Sequence, residues 1–294
     1  MKQYLDLIKD ILENGEDQID RTGVGTRSVF GRQLRYNLQD GFPLVTSKFT
    51  SFKTIFKELV WYLRGEGNTK FLKENGVTIW DEWADENGDL GRVYGTQYRH
   101  WLKYDIIHYE ELLNHPEGNT TTYYGAKVRV SEVDQIKNLI DGLKNNPYSR
   151  RHIVTAWNVA ELDQMALPPC HMTYQFNVTP SGKLNCMLLQ RSVDTCLGAP
   201  YNIACYSILT HILAKLCGYE AGEFIHTMGD AHIYHNHIEG AKEMLNREPY
   251  SLPKLIVPDN LSDINQIVNG EITWDDFKLE GYQYHPKINF DVAV

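Results

Sequence analysis

Cysteine is scarce in this chain: five residues in 294, an odd number, with no C-x-x-C pair and no C-x-x-C…H-x-x-x-H spacing. The odd count excludes a fully paired secreted disulfide framework, and the missing spacings leave no metal site to expect. Long apolar runs are absent too, since none approaches the ~18 residues that cross a bilayer. The opening MKQYLDLIKDILENG has acidic residues on a helical period, unlike the basic start and unbroken apolar stretch of a signal peptide. A cytoplasmic location away from membranes is therefore expected. Positive charge is in deficit: 29 Lys and Arg against 38 Asp and Glu leave a net charge of −9, which argues against nucleic acid as a partner. Any anionic ligand must be gripped by a local cluster of cations. No repeat, low-complexity tract or linker divides residues 1–294, so a single domain with a substantial core is expected.

What is present reads as interleaved helices and strands. Tyr4, Leu5, Ile8, Ile11 and Leu12 make one helical stripe over residues 2–13, ended by Asn14-Gly15. Strands are expected over 27–36 and 43–46, then a helix over 50–63 closed by Gly65. The Trp-, Tyr- and Gly-rich stretch 77–101 suits neither regular structure and can wall a pocket. Residues 102–131 read as a short helix, a turn at 116–119 and a strand-like run, peripheral to the rest. A helix over 133–144 follows, then strands from His152, over 172–178 and over 183–190, an apolar helix over 203–217, a helix reaching about Arg247, and a C-terminus of β character.

The segment MALPPCHMTYQFN, Met165 to Asn177, places Cys170 behind two prolines. Pro168 and Pro169 have fixed φ and no N–H, so they should hold the cysteine at the mouth of a strand. A lone thiol is more often a small buried hydrophobe, and for Cys186, Cys196, Cys205 and Cys217, in or beside apolar runs, that reading stands. Cys170 becomes a nucleophile only if cations raise its thiolate fraction, because an ordinary thiol titrates near ~8.5. The chain offers several. Arg21 lies on the Gly-flanked turn DRTGVGTRS, which lacks P-loop spacing. Arg191 and Ser192 form a second anion-binding pair. Arg150 and Arg151 are adjacent on an extended segment and point opposite ways, so both reach one ligand only from a bend or across a subunit boundary. Glu58, among Leu59, Val60, Trp61 and Tyr62, is either solvated or a buried acid with a raised pKa suited to proton transfer. Asn202 is either a helix N-cap or a reader of a base edge. His232 and Tyr234, two apart, share one face of an extended segment.

Taken together, DRTGVGT, FPLVT-x-K, IWDEWADENGDLG-x-VYG, SRRHIVTAWN, LPPCH, QRSVD-x-x-LG-x-PYNIA, GDAHIYHNH and the terminal VAV resemble the thymidylate synthase family from end to end, with 103–132 outside the resemblance as an insertion. The resemblance implies an α+β fold, a mixed sheet covered by helices, in a homodimer that associates through its sheets. It implies reductive methylation of dUMP to dTMP, with 5,10-methylenetetrahydrofolate as donor of the one-carbon unit and hydride, and no metal. Cys170 matches the nucleophile that adds to C6 of uracil. Arg21, Arg191, Arg150 and Arg151 match the phosphate ligands, the last two reaching the other subunit's site. Ser192 and Val193 stand with them in the nucleotide site. Asn202 matches the residue that accepts from N3–H and donates to O4, and His232 with Tyr234 matches the pair on the sugar 3′-hydroxyl. Glu58 matches the proton relay at O4 and N5, Tyr94 the group near the C5 proton, and His171 flanks the water network. Asp194, between nucleotide and folate, matches the pterin ligand; Lys48, Trp80, Trp83 and Ala293 match the folate side.

The chain departs from the common bacterial pattern at Arg92, Tyr98, Cys196, Cys205 and Phe49-Thr50-Ser51, none of which removes a catalytic group. A dUMP hydroxymethylase would share Cys170, Asn202 and the folate site, but Trp80 and the intact VAV terminus favour methylation. A cysteine hydrolase would need a histidine facing Cys170, and adjacent His171 points the opposite way on a strand.

Overall fold

A computed structural model describes residues 1–20, 22–107, 120–123 and 126–292. The first helix, Lys2–Asn14, buries Tyr4, Leu7, Ile8 and Ile11. Its inward stripe is rotated from the expected one: Leu7 is core, while Leu5 and Leu12 are only partly buried.

Strands β1 (Glu16–Gln18) and β2 (Thr26–Asn37) follow. The expected strand at 43–46 does not form. Pro43 has no amide to donate, Leu44 N–H turns back to the Phe42 carbonyl at 2.8 Å, and Phe42 N–H is taken by the Pro253 carbonyl at 2.7 Å, so no ladder is available. The helix Phe52–Arg64 is capped at one end by Ser51, whose hydroxyl accepts from Thr54 N–H at 3.2 Å, and ends at Gly65 with φ 76°. That left-handed residue is where glycine is needed.

After the short helix Gly95–Arg99 comes a second correction. Residues expected to begin a short helix form β3 (Trp101–Ile107), which pairs antiparallel with β5 (Ala126–Val133); β4 (Thr120–Tyr123) pairs with the other side of β5. A long-range partner decides here over local preference. The turn expected at 116–119 lies outside the described residues. The next helix, Gln135–Asn145, is capped by Asp134 and buries Ile136, Leu139 and Leu143.

The remaining main strands are β6 (Ile153–Thr155), β7 (His171–Val178), β8 (Lys183–Asp194) and β9 (Glu220–Tyr234). They build a six-stranded sheet in the order β1-β2-β9-β8-β7-β6. Only the β8–β9 pairing in that sheet is parallel, and its crossover is the helix Gly198–Cys217. This is the expected mixed sheet covered by helices. The crossover helix is apolar nearly all round and runs through the core, burying residues such as Ile203, Tyr206, Ile208, Leu209, Ile212 and Leu213. It starts four residues earlier than Asn202, so Asn202 is a helix-interior side chain and not an N-cap. β8 continues to Asp194, past the expected end at Gln190, because β9 pairs with it as far as His232.

Beyond the helix Ile238–Leu245, β10 (Lys254–Ile256) and β11 (Lys278–Glu280) pair with each other. The C-terminal stretch 281–292 has no regular structure where β character was expected. Its polar groups go to separate partners instead: His285 N–H to the Thr46 carbonyl at 2.9 Å, the Pro286 carbonyl to Arg247 at 2.7 Å, and the Asp291 carbonyl to His237 at 2.8 Å.

One face of the large sheet carries the alternating core residues Leu184, Cys186, Leu188 and Gln190 of β8. The other face leaves Ile153, Met187 and Leu189 exposed, at 46%, 38% and 40%. Ile153, Gln175, Met187 and Ile225 stand in register across β6, β7, β8 and β9, so the exposed apolar residues form a continuous patch.

Candidate active site

The ends of β8 and β9, the start of the crossover helix, the Glu58 helix and the Trp-rich loop converge on a cavity of about 510 Å³. Glu58, Trp80, Trp83, Tyr94, Cys170, His171, Arg191, Ser192, Asp194, Asn202, His232 and Tyr234 all line it. These residues span 177 positions of sequence, and only folding joins them.

Cys170 sits just before β7, held on both sides of its peptide unit. Its N–H donates to the Tyr94 hydroxyl at 2.9 Å, and its carbonyl accepts from Arg191 N–H at 2.9 Å. Pro168 and Pro169 can only offer carbonyls, and Arg191 takes both, Nε to Pro169 at 3.0 Å and Nη2 to Pro168 at 2.7 Å. The same guanidinium stacks over Trp157 at 5.6 Å. Arg191 is thus a splint for the Pro-Pro-Cys turn and brings a permanent positive charge to the cavity that Cys170 also lines. Tyr94 is fully enclosed and has φ 27°, the one non-glycine residue of positive φ among the described residues. Strain at a non-glycine position costs roughly 1–3 kcal/mol and persists only where surrounding packing imposes it. Here the imposed geometry aims the Tyr94 hydroxyl at the Cys170 amide.

Glu58 is buried at 5% exposure. Burial pushes its carboxyl up to about 7, against the opposing effect of hydrogen bonds from Trp80 and Tyr62. Trp80 Nε1 donates to Oε1 at 2.9 Å and the Tyr62 hydroxyl to the same oxygen at 3.1 Å. The solvated alternative for Glu58 is excluded. A carboxyl group that titrates near neutrality can both give and take a proton.

Asn202 stands across the cavity, and its Oδ1 accepts from Gln190 Nε2 at 3.0 Å. Beside it, His171 is fully enclosed; burial pushes its imidazole down to about 4, opposed by its contact with Asn202. It is a neutral ring at physiological pH. His232 Nδ1 meets Asp230 Oδ1 at 2.7 Å, which orients the ring. Burial alone would raise the Asp230 carboxyl, yet hydrogen bonding to His232, Gln18 and Ser28 holds it below the ordinary range. Tyr234 packs edge to face on His232 at 5.2 Å.

The opposite wall is aromatic and aliphatic: Ile79, Trp80, Trp83, Leu197 and Tyr201, with Val292 near the mouth. Trp80 packs on Trp61, Trp83 and Tyr94 with centroids 5.5, 5.7 and 5.5 Å away. Such a surface suits a flat heterocycle. Asp194 supplies its polar end, with Oδ1 accepting from Cys196 N–H and Leu197 N–H, both at 3.0 Å.

Not every expected site residue reaches this cavity. Val193 is wholly buried in the core and does not line the wall, although its neighbours Ser192 and Asp194 do. Lys48 is buried away from the cavity lining, with Nζ 4.9 Å from the centre of the Phe290 ring; burial pushes its ammonium down to about 8, with Cys196 and Asp194 acting the other way. Phe290 is also clasped by His237 at 4.9 Å. A Cβ on Gly240 would come to 2.5 Å from Phe290 Cε1, so a larger residue there would require the Phe290 ring to shift. Arg150 and Arg151 are exposed and outside the cavity. Arg21 and Ala293 lie outside the described residues.

Sequence reasoning missed Tyr62, Gln190 and Asp230. Each carried a signal: Tyr62 is one helical turn from Glu58, and Gln190 is the polar member of the inward-facing series Leu184, Cys186, Leu188. Asp230 is two residues from His232 on the same strand. Arg92, an unusual residue for its place, ion-pairs with Glu161 at 2.9 Å and so ties the loop that carries Tyr94 to the segment ahead of Cys170. Among the described residues no group of His, Cys, Asp and Glu could hold a metal ion, and no helix is long and apolar enough to cross a membrane.

A family model described as Thymidylate synthase matches residues 2–294, essentially the whole chain.

Proposed function

The chain belongs to the thymidylate synthase family, and from that membership we propose how its own residues carry the reaction. The reaction is the methylation of dUMP to dTMP with 5,10-methylenetetrahydrofolate as co-substrate. One observation supports the residue assignment above all others: Cys170, Arg191, Asn202, His232 and Glu58, distant in sequence, line a single cavity.

In this reading the dUMP phosphate is bound by Arg191 and Ser192, with Arg21 as a further ligand. A dianion held there fixes the ring over Cys170, converting a bimolecular addition into an oriented one. The Cys170 thiolate then donates an electron pair to C6, forming the S–C6 bond, and the displaced π electrons pass to C5 and O4. Asn202 accepts from N3–H and donates to O4, while Glu58, poised near neutrality, exchanges the proton at O4 through water. His232 and Tyr234 take the 3′-hydroxyl. Tyr94 is suited to the C5 proton by its hydroxyl above Cys170.

The apolar wall with Asp194 fits a reduced folate, which supplies the one-carbon unit and hydride when bound. Trp80 serves twice, as wall and as donor to Glu58. Val292 lines the cavity, and Ala293 is proposed, from the family resemblance alone, to help exclude water from the folate side. Lys48 contributes through its contact with the Phe290 ring. The test is a mass spectrum of the nucleotide made from dUMP and methylenetetrahydrofolate. A gain of CH₂ is expected; a gain of CH₂O would mean that water captures the intermediate and that the wall does not exclude it.

The exposed apolar face of the large sheet supports a homodimer that associates through it, and the exposure of Arg150 and Arg151 at the edge strand supports their reaching the partner's phosphate site. The continuous buried core supports a single domain. If the sites are shared, Cys170→Ala and Arg150→Ala/Arg151→Ala chains, each inactive alone, should regain about a quarter of native activity when unfolded together and refolded, because half the dimers are mixed and carry one intact site. No recovery would show that the arginines serve their own subunit.

A further inference from the structure

Behind Asn202 runs a buried chain of polar groups that the reaction itself does not use. Gln190, 3% exposed, and His226, wholly buried, lie on the neighbouring strands β8 and β9. We propose that Gln190 and His226 are positioning residues that fix the direction of the Asn202 amide and thereby make the site select uracil over cytosine. The inference rests on Asn202 being the residue that reads the base.

The direction can be traced from a group whose role is not in doubt. The Ser192 carbonyl can only accept, and a Gln190 amide atom lies 3.0 Å from it, so that atom is Nε2. The second Nε2 proton points to Asn202 at 3.0 Å, and the atom receiving it is Oδ1. Gln190 Oε1 then faces His226 Nε2 at 2.9 Å, which must carry a proton. The other ring nitrogen, Nδ1, has no hydrogen-bond partner, as befits the lone-pair side of a neutral ring. Burial drives His226 to that neutral form. Each member of the chain therefore has one sense only.

The consequence appears at the base. Uracil presents N3–H and O4, matching an amide whose Oδ1 still has a lone pair and whose Nδ2 can donate. Cytosine presents an N3 lone pair and an amino group, which need the Asn202 amide turned over. That would set Asn202 Nδ2 against Gln190 Nε2, donor facing donor. Gln190 cannot turn in response without losing both the Ser192 carbonyl and the His226 N–H. A buried donor left without an acceptor lowers affinity on the order of ten- to a hundredfold.

Binding of dUMP and dCMP, measured by calorimetry on the native protein and on His226→Phe, tests this. His226→Phe keeps an aromatic ring but frees Gln190 Oε1, and the dUMP:dCMP affinity ratio should fall about tenfold, chiefly because dCMP is relieved of the donor–donor clash. His226→Gln can still donate and should restore most of the ratio. Equal weakening of both nucleotides, with the ratio held within about twofold, would overturn the proposal and assign His226 a packing role. Asn202→Asp separates the two levels of the argument. If it too leaves the ratio unchanged, Asn202 does not read the base; if it alone changes the ratio, only the relay is wrong. Should His226→Phe not fold, imidazole ¹⁵N spectra of the native protein decide. A neutral Nε2–H tautomer from about pH 6 to 8 is expected, and an Nδ1–H tautomer would sink the relay.

Discussion

Replacing Cys170 with alanine should cost at least ~10⁴-fold in dTMP formation, the loss expected when a covalent route is removed from an otherwise intact site. Nucleotide binding should fall far less. The groups assigned to phosphate, base and sugar, Arg191, Ser192, Asn202, His232 and Tyr234, sit on β8, β9 and the crossover helix and do not depend on the sulfur for their placement. The Cys170 backbone, held by Tyr94 and Arg191, is equally available to alanine. Turnover and equilibrium dialysis with dUMP check the two halves separately. Residual turnover within ~10-fold of native would rule out Cys170 as the nucleophile. Loss of binding in parallel with turnover would instead mean that the sulfur is needed to shape the pocket.

Glu58→Gln is expected to divide activity from stability. Turnover should drop ~10²–10⁴-fold, the usual contribution of a positioned acid or base. The fold should gain. The folded carboxyl titrates at about 7, above its ordinary 4.5, because burial penalises the charge. Below the lower value the group is neutral in both folded and unfolded chains, and its favourable contribution is fully present. As pH rises through about 7 the buried charge must form and that contribution is lost. Glutamine can still accept from Trp80 and Tyr62 through Oε1 without ever ionising. Relative to native, the variant should therefore gain up to about 3 kcal/mol between pH 5 and pH 8, as converted from the pKa displacement. Denaturant unfolding at both pH values measures it, and a stability difference that does not change with pH would show that Glu58 is not a buried titrating group. A stabilised but inactive variant would mean that the native protein tolerates an unfavourable carboxylate because the chemistry requires it.

Much of this arrangement was legible from local patterns. Amphipathic periods and the stop at Gly65 located the helices Phe52–Arg64 and Gln135–Asn145 to within a few residues, since such signals act on groups only a few positions away. Prolines before Cys170 announced a strand mouth for the same reason. The misreadings over 43–46 and 102–107 involve distant partners, and that of Asn202 a helix that starts one turn earlier. Residues 43–46 look like a strand until Pro253 claims the Phe42 amide. Residues 102–107 look helical until β5 pairs with them. Asn202 looks like a cap until the helix begins at Gly198.

The site divides along the same line. Sequence alone determined which chemistries were available: a thiol behind two prolines, arginines able to answer an anion, a carboxylate in an apolar helix, an amide able to read a base. Residue type and near neighbours suffice for that. Only the tertiary structure decided that Glu58 is buried and titrates near 7, that Arg191 splints the Cys170 turn, and that Gln190 gives the Asn202 amide one direction. Burial and hydrogen-bond direction depend on groups brought together from far along the chain, and no local pattern encodes them.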